Sequence, residues 1–123
     1  WINANGKIIS NSILTSENSL PHKYAFCSDT RYNESLIEKI KEVDLLYHET
    51  TFMQDLEDRA EQTGHTTTFQ AATIANKAKV KRLLIGHYSQ RYKNLDDLLD
   101  ETKEIFSNSL LSFAGLVVDF KEI

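Results

Sequence analysis

Short apolar runs alternating with helix-forming segments confine this chain to an α/β layer. The runs fall at residues 24–27, 43–47, 80–85 and 116–120, too short for helices and long enough for strands. Between them the periodicity changes. Over Asn33–Glu42, Leu36, Ile37 and Ile40 share one face while Glu34, Glu38, Lys39 and Lys41 share the other, which predicts an amphipathic helix. An acidic helix is predicted over Thr51–Gln62, with Gly64 ending it. Thr66, Thr67 or Thr68 can cap a further helix from about Phe69 to Lys79, whose alanines allow close packing on a sheet. Asn94 caps a last helix from Leu95 to about Ser107. Strands alternating with helices predict a mostly parallel sheet with flanking helices and right-handed crossovers. Residues 23–123 make up this α/β core. Residues 1–22, with short pairs such as Ile8-Ile9 among turn formers, are expected as an edge strand or loop packed on something else.

Parallel strands all end on one side, and that edge is where open α/β sheets bind ligands. Asp29, the His48-Glu49 pair and His87 each sit just past the carboxyl end of a predicted strand. Topology therefore gathers them on one rim. His65 joins them, because the helix after it must begin near the rim to descend to the start of the third strand. That geometry lays the helix from Thr51 across the rim. In Leu83–Tyr92 an apolar run stops at Gly86, and His87, Ser89 and Arg91 follow at every second position.

Each of these side chains has two readings. Asp29 is either a carboxylate able to bridge two cations or a cap for the following helix, and spacing alone favours the cap. His87 is either an imidazole ligand or a hydrogen-bonded structural histidine. His65, on a turn before a helix, suits proton transfer or phosphate contact with Glu49 orienting it, or else is a surface histidine with Glu49 a helix-capping carboxylate, and these residues alone favour the second pair. Packing beneath Glu49 is the better reading of His48, and exposure that of His22. Cys27 points into the core, where a nucleophilic role is not expected. Arg91 is the phosphate candidate, because its planar fork matches phosphate oxygens.

Composition narrows the classes. At 123 residues with 41% hydrophobic and 26% charged, the chain has the makeup of one globular domain. A net charge of -4 argues against a broad basic face that coats nucleic acid, so any such contact must be local. The single cysteine excludes an internal disulfide, and a cytoplasmic location is the expectation. No apolar run reaches the length of a membrane span. The chain opens on Trp1, so residues upstream are expected.

Four stretches, Tyr24–Thr30, Asp44–Phe52, Gly64–Ala72 and Ile85–Tyr92, together resemble in order and spacing the carboxyl-terminal half of ribonuclease Z. These are metallo-β-lactamase-fold endonucleases that trim the 3′ end of precursor tRNA. The resemblance implies half of an αββα sandwich, a pair of zinc ions in the intact site, a precursor tRNA substrate and a homodimer. It implies that Asp29 bridges the metals and that His87 is a histidine ligand. It implies that His65 assists the leaving group while Glu49 orients it, and that Arg91 with Ser89 holds a substrate phosphate. The family's Glu-Ala-Thr stands here as Glu49-Thr50-Thr51, and its His-Ser-Thr as His65-Thr66-Thr67. The family's His-x-His-x-Asp-His cluster is absent from these residues. Two ligands are fewer than a catalytic zinc takes from protein, so these residues alone are expected to bind zinc weakly and not to cleave RNA. Two rivals remain: a phosphodiesterase of the same fold acting on a small substrate, and a non-catalytic half-domain that only assembles with a partner.

Overall fold

The structure is a computed structural model that describes residues 1–123. In chain order its elements are α1 (Asn11–Leu14), β1 (Tyr24–Cys27), α2 (Leu36–Lys39) and β2 (Leu45–Glu49). A 3-10 turn (Gln54–Leu56) leads into α3 (Glu57–Thr63), and α4 (Thr68–Ala78), β3 (Arg82–Gly86), α5 (Leu95–Lys103) and β4 (Ser109–Leu111) follow. The strands form one parallel sheet in the order β1-β2-β3-β4, so their carboxyl ends share an edge.

Strand alternation sends Leu46, Leu83 and Ile85 to one face, where they meet Ala72, Ala75 and Ala78 of α4 and Leu98 of α5. The alanines carry little bulk, which lets α4 lie close to the strands. Its start is fixed by a capping box: Thr67 Oγ1 accepts from the Gln70 amide at 3.2 Å, and Gln70 Oε1 accepts from the Thr67 amide at 3.0 Å. Such a cap contributes about 1 kcal/mol. Each buried leucine or isoleucine contributes about 1.5–3 kcal/mol, so apolar packing holds this layer and the cap sets where the helix begins. On the opposite face Tyr24 and Phe26 are 53% and 63% exposed, with the Phe26 ring stacked on Tyr47 at 4.5 Å.

His48 turns away from Glu49 into the helix-covered side and is fully buried. Its Nδ1 donates to the Glu49 carbonyl at 2.9 Å while Nε2 has no partner, and burial holds its pKa below the ordinary value. It is a neutral packing histidine. Cys27 packs against the same core, and burial raises its thiol pKa, which keeps it protonated and unreactive.

Several boundaries depart from expectation. Of the two readings of segment 1–22, edge strand or loop, it is a loop with one isolated bridge, Ile2 with Ile8, and the single helical turn α1. Its apolar pairs are separated by asparagine, glycine and serine, leaving no run long enough to pair. The edge is instead β1, which is therefore not the buried strand expected. The amphipathic segment 33–42 is helical only over Leu36–Lys39, and the segment from Thr51 breaks into the 3-10 turn and α3. β2 begins two residues late because Asp44 is held at the base, accepting from the Lys23 amide at 2.7 Å and from Lys81 Nζ at 2.6 Å. The last strand is Ser109–Leu111 and not 116–120. Asn108 anchors that choice, since its carbonyl accepts from the Leu83 amide and its Oδ1 from Arg82 Nε, both at 3.0 Å. No helix is long and apolar enough to cross a membrane.

Candidate active site

Four loops meet at the carboxyl edge of the sheet, and Glu49 ties three of them together. It is the last residue of β2, and its side chain is fully buried. Oε1 accepts from the Thr30 amide at 3.0 Å and from His65 Nδ1 at 2.9 Å. Oε2 accepts from the Thr51 amide at 3.1 Å and from Thr51 Oγ1 at 2.6 Å. Four donors on one carboxylate explain how it stays buried as an acceptor. They also leave it no free lone pair of good geometry for a metal.

Thr51 carries the geometry onward. Its one hydroxyl proton goes to Glu49, so Oγ1 can only accept from the imidazoles that approach it, His87 Nδ1 at 2.9 Å and His65 Nδ1 at 3.2 Å. Both rings therefore carry their proton on Nδ1. Neither Nε2 has a partner in the chain. The rings lie 5.3 Å apart, tilted by 32°, each with a bare nitrogen available for chemistry. Glu49, His65 and His87 each place one ligand-type atom within 4.8 Å of the others, a group that could hold a metal ion. Glu49 is saturated, which leaves the histidine Nε2 atoms and the Asp29 carboxylate as the donors still free on this rim.

Asp29 lies beside them, with Oδ1 3.4 Å from His65 Nδ1 and a side chain that is 71% exposed. It is no helix cap, because α2 starts only at Leu36 and Ser35 occupies the cap position. Asp29 and His87 both have positive φ, 54° and 59°, at the exit of a strand. Glu42 and Lys79 share that conformation at the other edge, so positive φ alone does not mark the site. Non-glycine residues stay in that region only where surrounding bonds hold them. Around His87 those bonds are visible: the Thr50 amide donates to the Gly86 carbonyl at 2.8 Å, the Ser89 amide to the Thr51 carbonyl at 3.0 Å, and the Met53 amide to Tyr92 Oη at 2.8 Å. On the other side Thr66 Oγ1 donates to the Thr30 carbonyl at 2.5 Å, joining the Asp29 loop to the His65 loop.

Gly86 admits the turn because nothing larger fits. A Cβ there would lie 2.5 Å from Ser112 Oγ and closer still to the Tyr47 hydroxyl. Gly86→Ala is expected to cost about 1–3 kcal/mol, read as a lower urea midpoint with an unchanged slope. A midpoint within error of the parent would show that the Tyr47 ring moves aside freely.

Arg91 and Ser89 are on the same loop as His87. The Arg91 guanidinium lies 5.3 Å from the centre of the Phe52 ring, and Ser89 Oγ accepts from the Arg91 amide at 3.4 Å. Phe52 meets the His65 ring edge-on at 6.1 Å. The predicted residues His65, Glu49, Asp29 and His87 thus converge, and His48 does not. Sequence reasoning gave Thr51 and Phe52 no role, although both lie in the stretch Asp44–Phe52 and Thr51 is the third residue of the Glu49-Thr50-Thr51 motif.

No protein-family model matches the chain. Ribonuclease Z of Phocaeicola vulgatus is 50% identical over 118 residues, which is 96% of this chain and 38% of that protein. Over nearly its whole length the chain is similar to one part of ribonuclease Z. A metallo-β-lactamase fold protein, YhfI of Bacillus subtilis, superposes with a TM-score of 0.74 at 28% identity, covering 80% of this chain and 40% of that one. A long form ribonuclease Z from yeast superposes at 0.64, also at 28% identity, covering 80% of this chain and 13% of that one. The chain spans about 38% of the length of the curated ribonuclease Z relatives it matches. Within it, the His65, Glu49 and His87 group belongs to that shared stretch.

Proposed function

We propose that the intact protein is a zinc-dependent endoribonuclease that removes the 3′ trailer of precursor tRNA, and that this chain is the carboxyl-terminal half of its catalytic domain. The observation that carries the reading is the Glu49–Thr51 relay, which holds Nδ1 of His65 and His87 and leaves both Nε2 atoms bare beside the free carboxylate of Asp29. Asp29 and His87 fit zinc: a carboxylate and a neutral imidazole are its ordinary hard and borderline donors, and neither is engaged by another strong partner. Asp29 would bridge the two ions and His87 would hold one of them. The other ligands come from an amino-terminal half that also covers the open sheet face around Tyr24 and Phe26. Zinc, when bound, supplies Lewis-acid chemistry and charge neutralisation at the phosphate.

The chain's own groups do the rest. Glu49 accepts from Nδ1 of His65 and so turns Nε2 toward the rim, where Nε2 takes up a second proton from solvent and gives it to the departing ribose 3′ oxygen, returning the ring to its neutral form. Arg91 and Ser89 orient a phosphate on the same rim. The protein acts as a homodimer in the cytoplasm.

The test uses full-length protein, precursor tRNA and a chelator. Release of the 3′ trailer, abolished by chelation and restored by zinc, is the expected result, with the 123-residue chain alone inactive. Faster hydrolysis of a cyclic nucleotide or a chromogenic diester than of the precursor would replace this reading with the small-substrate one.

A further inference from the structure

The chain has four arginines, and they divide into two kinds. Arg31 Nη1 lies 3.5 Å from Glu61 Oε1, and Arg82 donates through Nε to Asn108 Oδ1 and through Nη2 to the Glu122 carbonyl. The guanidiniums of Arg59 and Arg91 have no acceptor. Both lie instead over one ring, that of Phe52, at 5.9 and 5.3 Å from its centre. Phe52 is 5% exposed and its ring meets His65 edge-on. Arg59 sits on α3 among Glu57, Asp58 and Glu61, and pairs with none of them. A cation over an aromatic face is oriented without using its N–H donors. Two exposed forks are therefore held ready on a buried platform next to His65, in a chain whose net charge of -4 otherwise repels a nucleic acid.

We propose that Arg59 is a second phosphate-binding residue of the substrate cleft, gripping a backbone phosphate of the RNA strand next to the one that Arg91 holds. This rests on the endoribonuclease reading. Phe52 is the spacer that sets both guanidiniums relative to His65, so the strand is gripped where the proton is delivered. A planar fork takes two phosphate oxygens at once, which fixes the strand's orientation as well as its place.

The experiment measures binding of trailer-bearing precursor tRNA to full-length protein over a salt series, in a His65→Ala background that keeps the RNA uncut. Each phosphate neutralised adds close to one unit to the slope of log affinity against log salt. Arg59→Gln is expected to make that slope shallower by about one. Arg59→Lys should keep the parent slope, and Lys39→Gln on α2, an exposed cation without an ion-pair partner, should leave it unchanged. An altered fold would lower the melting temperature without lifting the slope selectively for loss of charge, so the lysine variant separates packing from phosphate contact. An unchanged slope in Arg59→Gln overturns the inference while wild-type cleavage leaves the endoribonuclease reading standing. Failure of the wild-type protein to bind and cut the precursor overturns both.

Discussion

His65→Ala in the full-length protein should lower kcat on precursor tRNA by about 10²–10⁴-fold, the range a positioned general acid contributes. Substrate affinity and bound metal should change little, because the proton is needed only as the bond breaks. The structural reason is the direction of the ring. The Nδ1 proton is held by Glu49 at 2.9 Å, so the proton delivered is a second one, carried on Nε2. Single-turnover cleavage with metal analysis on the same preparation checks this. Turnover near the parent value, or a loss that follows loss of metal, would remove His65 from the acid role.

Thr51→Val should weaken zinc binding although Thr51 touches neither metal nor substrate in this scheme. Valine keeps the shape and removes the one oxygen that serves Glu49, His65 and His87 together. His87 then loses the acceptor that fixes its tautomer, and Glu49 loses a donor while buried. Loss of an outer partner of a metal-binding histidine typically weakens metal affinity or activity by roughly 10- to 100-fold. The expected result is a zinc titration shifted to weaker binding by that factor, with Thr51→Ser restoring most of it. Serine keeps the hydroxyl, so failure of serine to rescue would mean that the methyl group's packing mattered and the relay did not.

Much of the site was legible before any coordinates. Alternating apolar runs and helical segments determine a parallel α/β layer, because each pattern matches one backbone period and parallel strands need helices to return. That topology alone puts Asp29, Glu49 and His87 on one edge and brings His65 to it. The resemblance in four separated stretches added the roles. What the sequence left open was whichever outcome depended on groups far apart in the chain meeting at hydrogen-bond range.

Thr51 is one such outcome. The motif matched it without giving it a task, and only the fold shows that Thr50 donates to the Gly86 carbonyl while Thr51 joins a carboxylate to two imidazoles. Arg59 is another, since a surface arginine in an acidic helix would ordinarily pair with a neighbour, and only the position of Phe52 shows that it does not. The third is β4, where Ser109–Leu111 is too short to carry a period and was selected by pairing with β3 and by the anchor at Asn108. Sequence determined the layer and its reactive edge through backbone periodicity, a local property. Tertiary structure decided the proton positions, the free arginines and the last strand, because each depends on which distant group supplies the nearest acceptor.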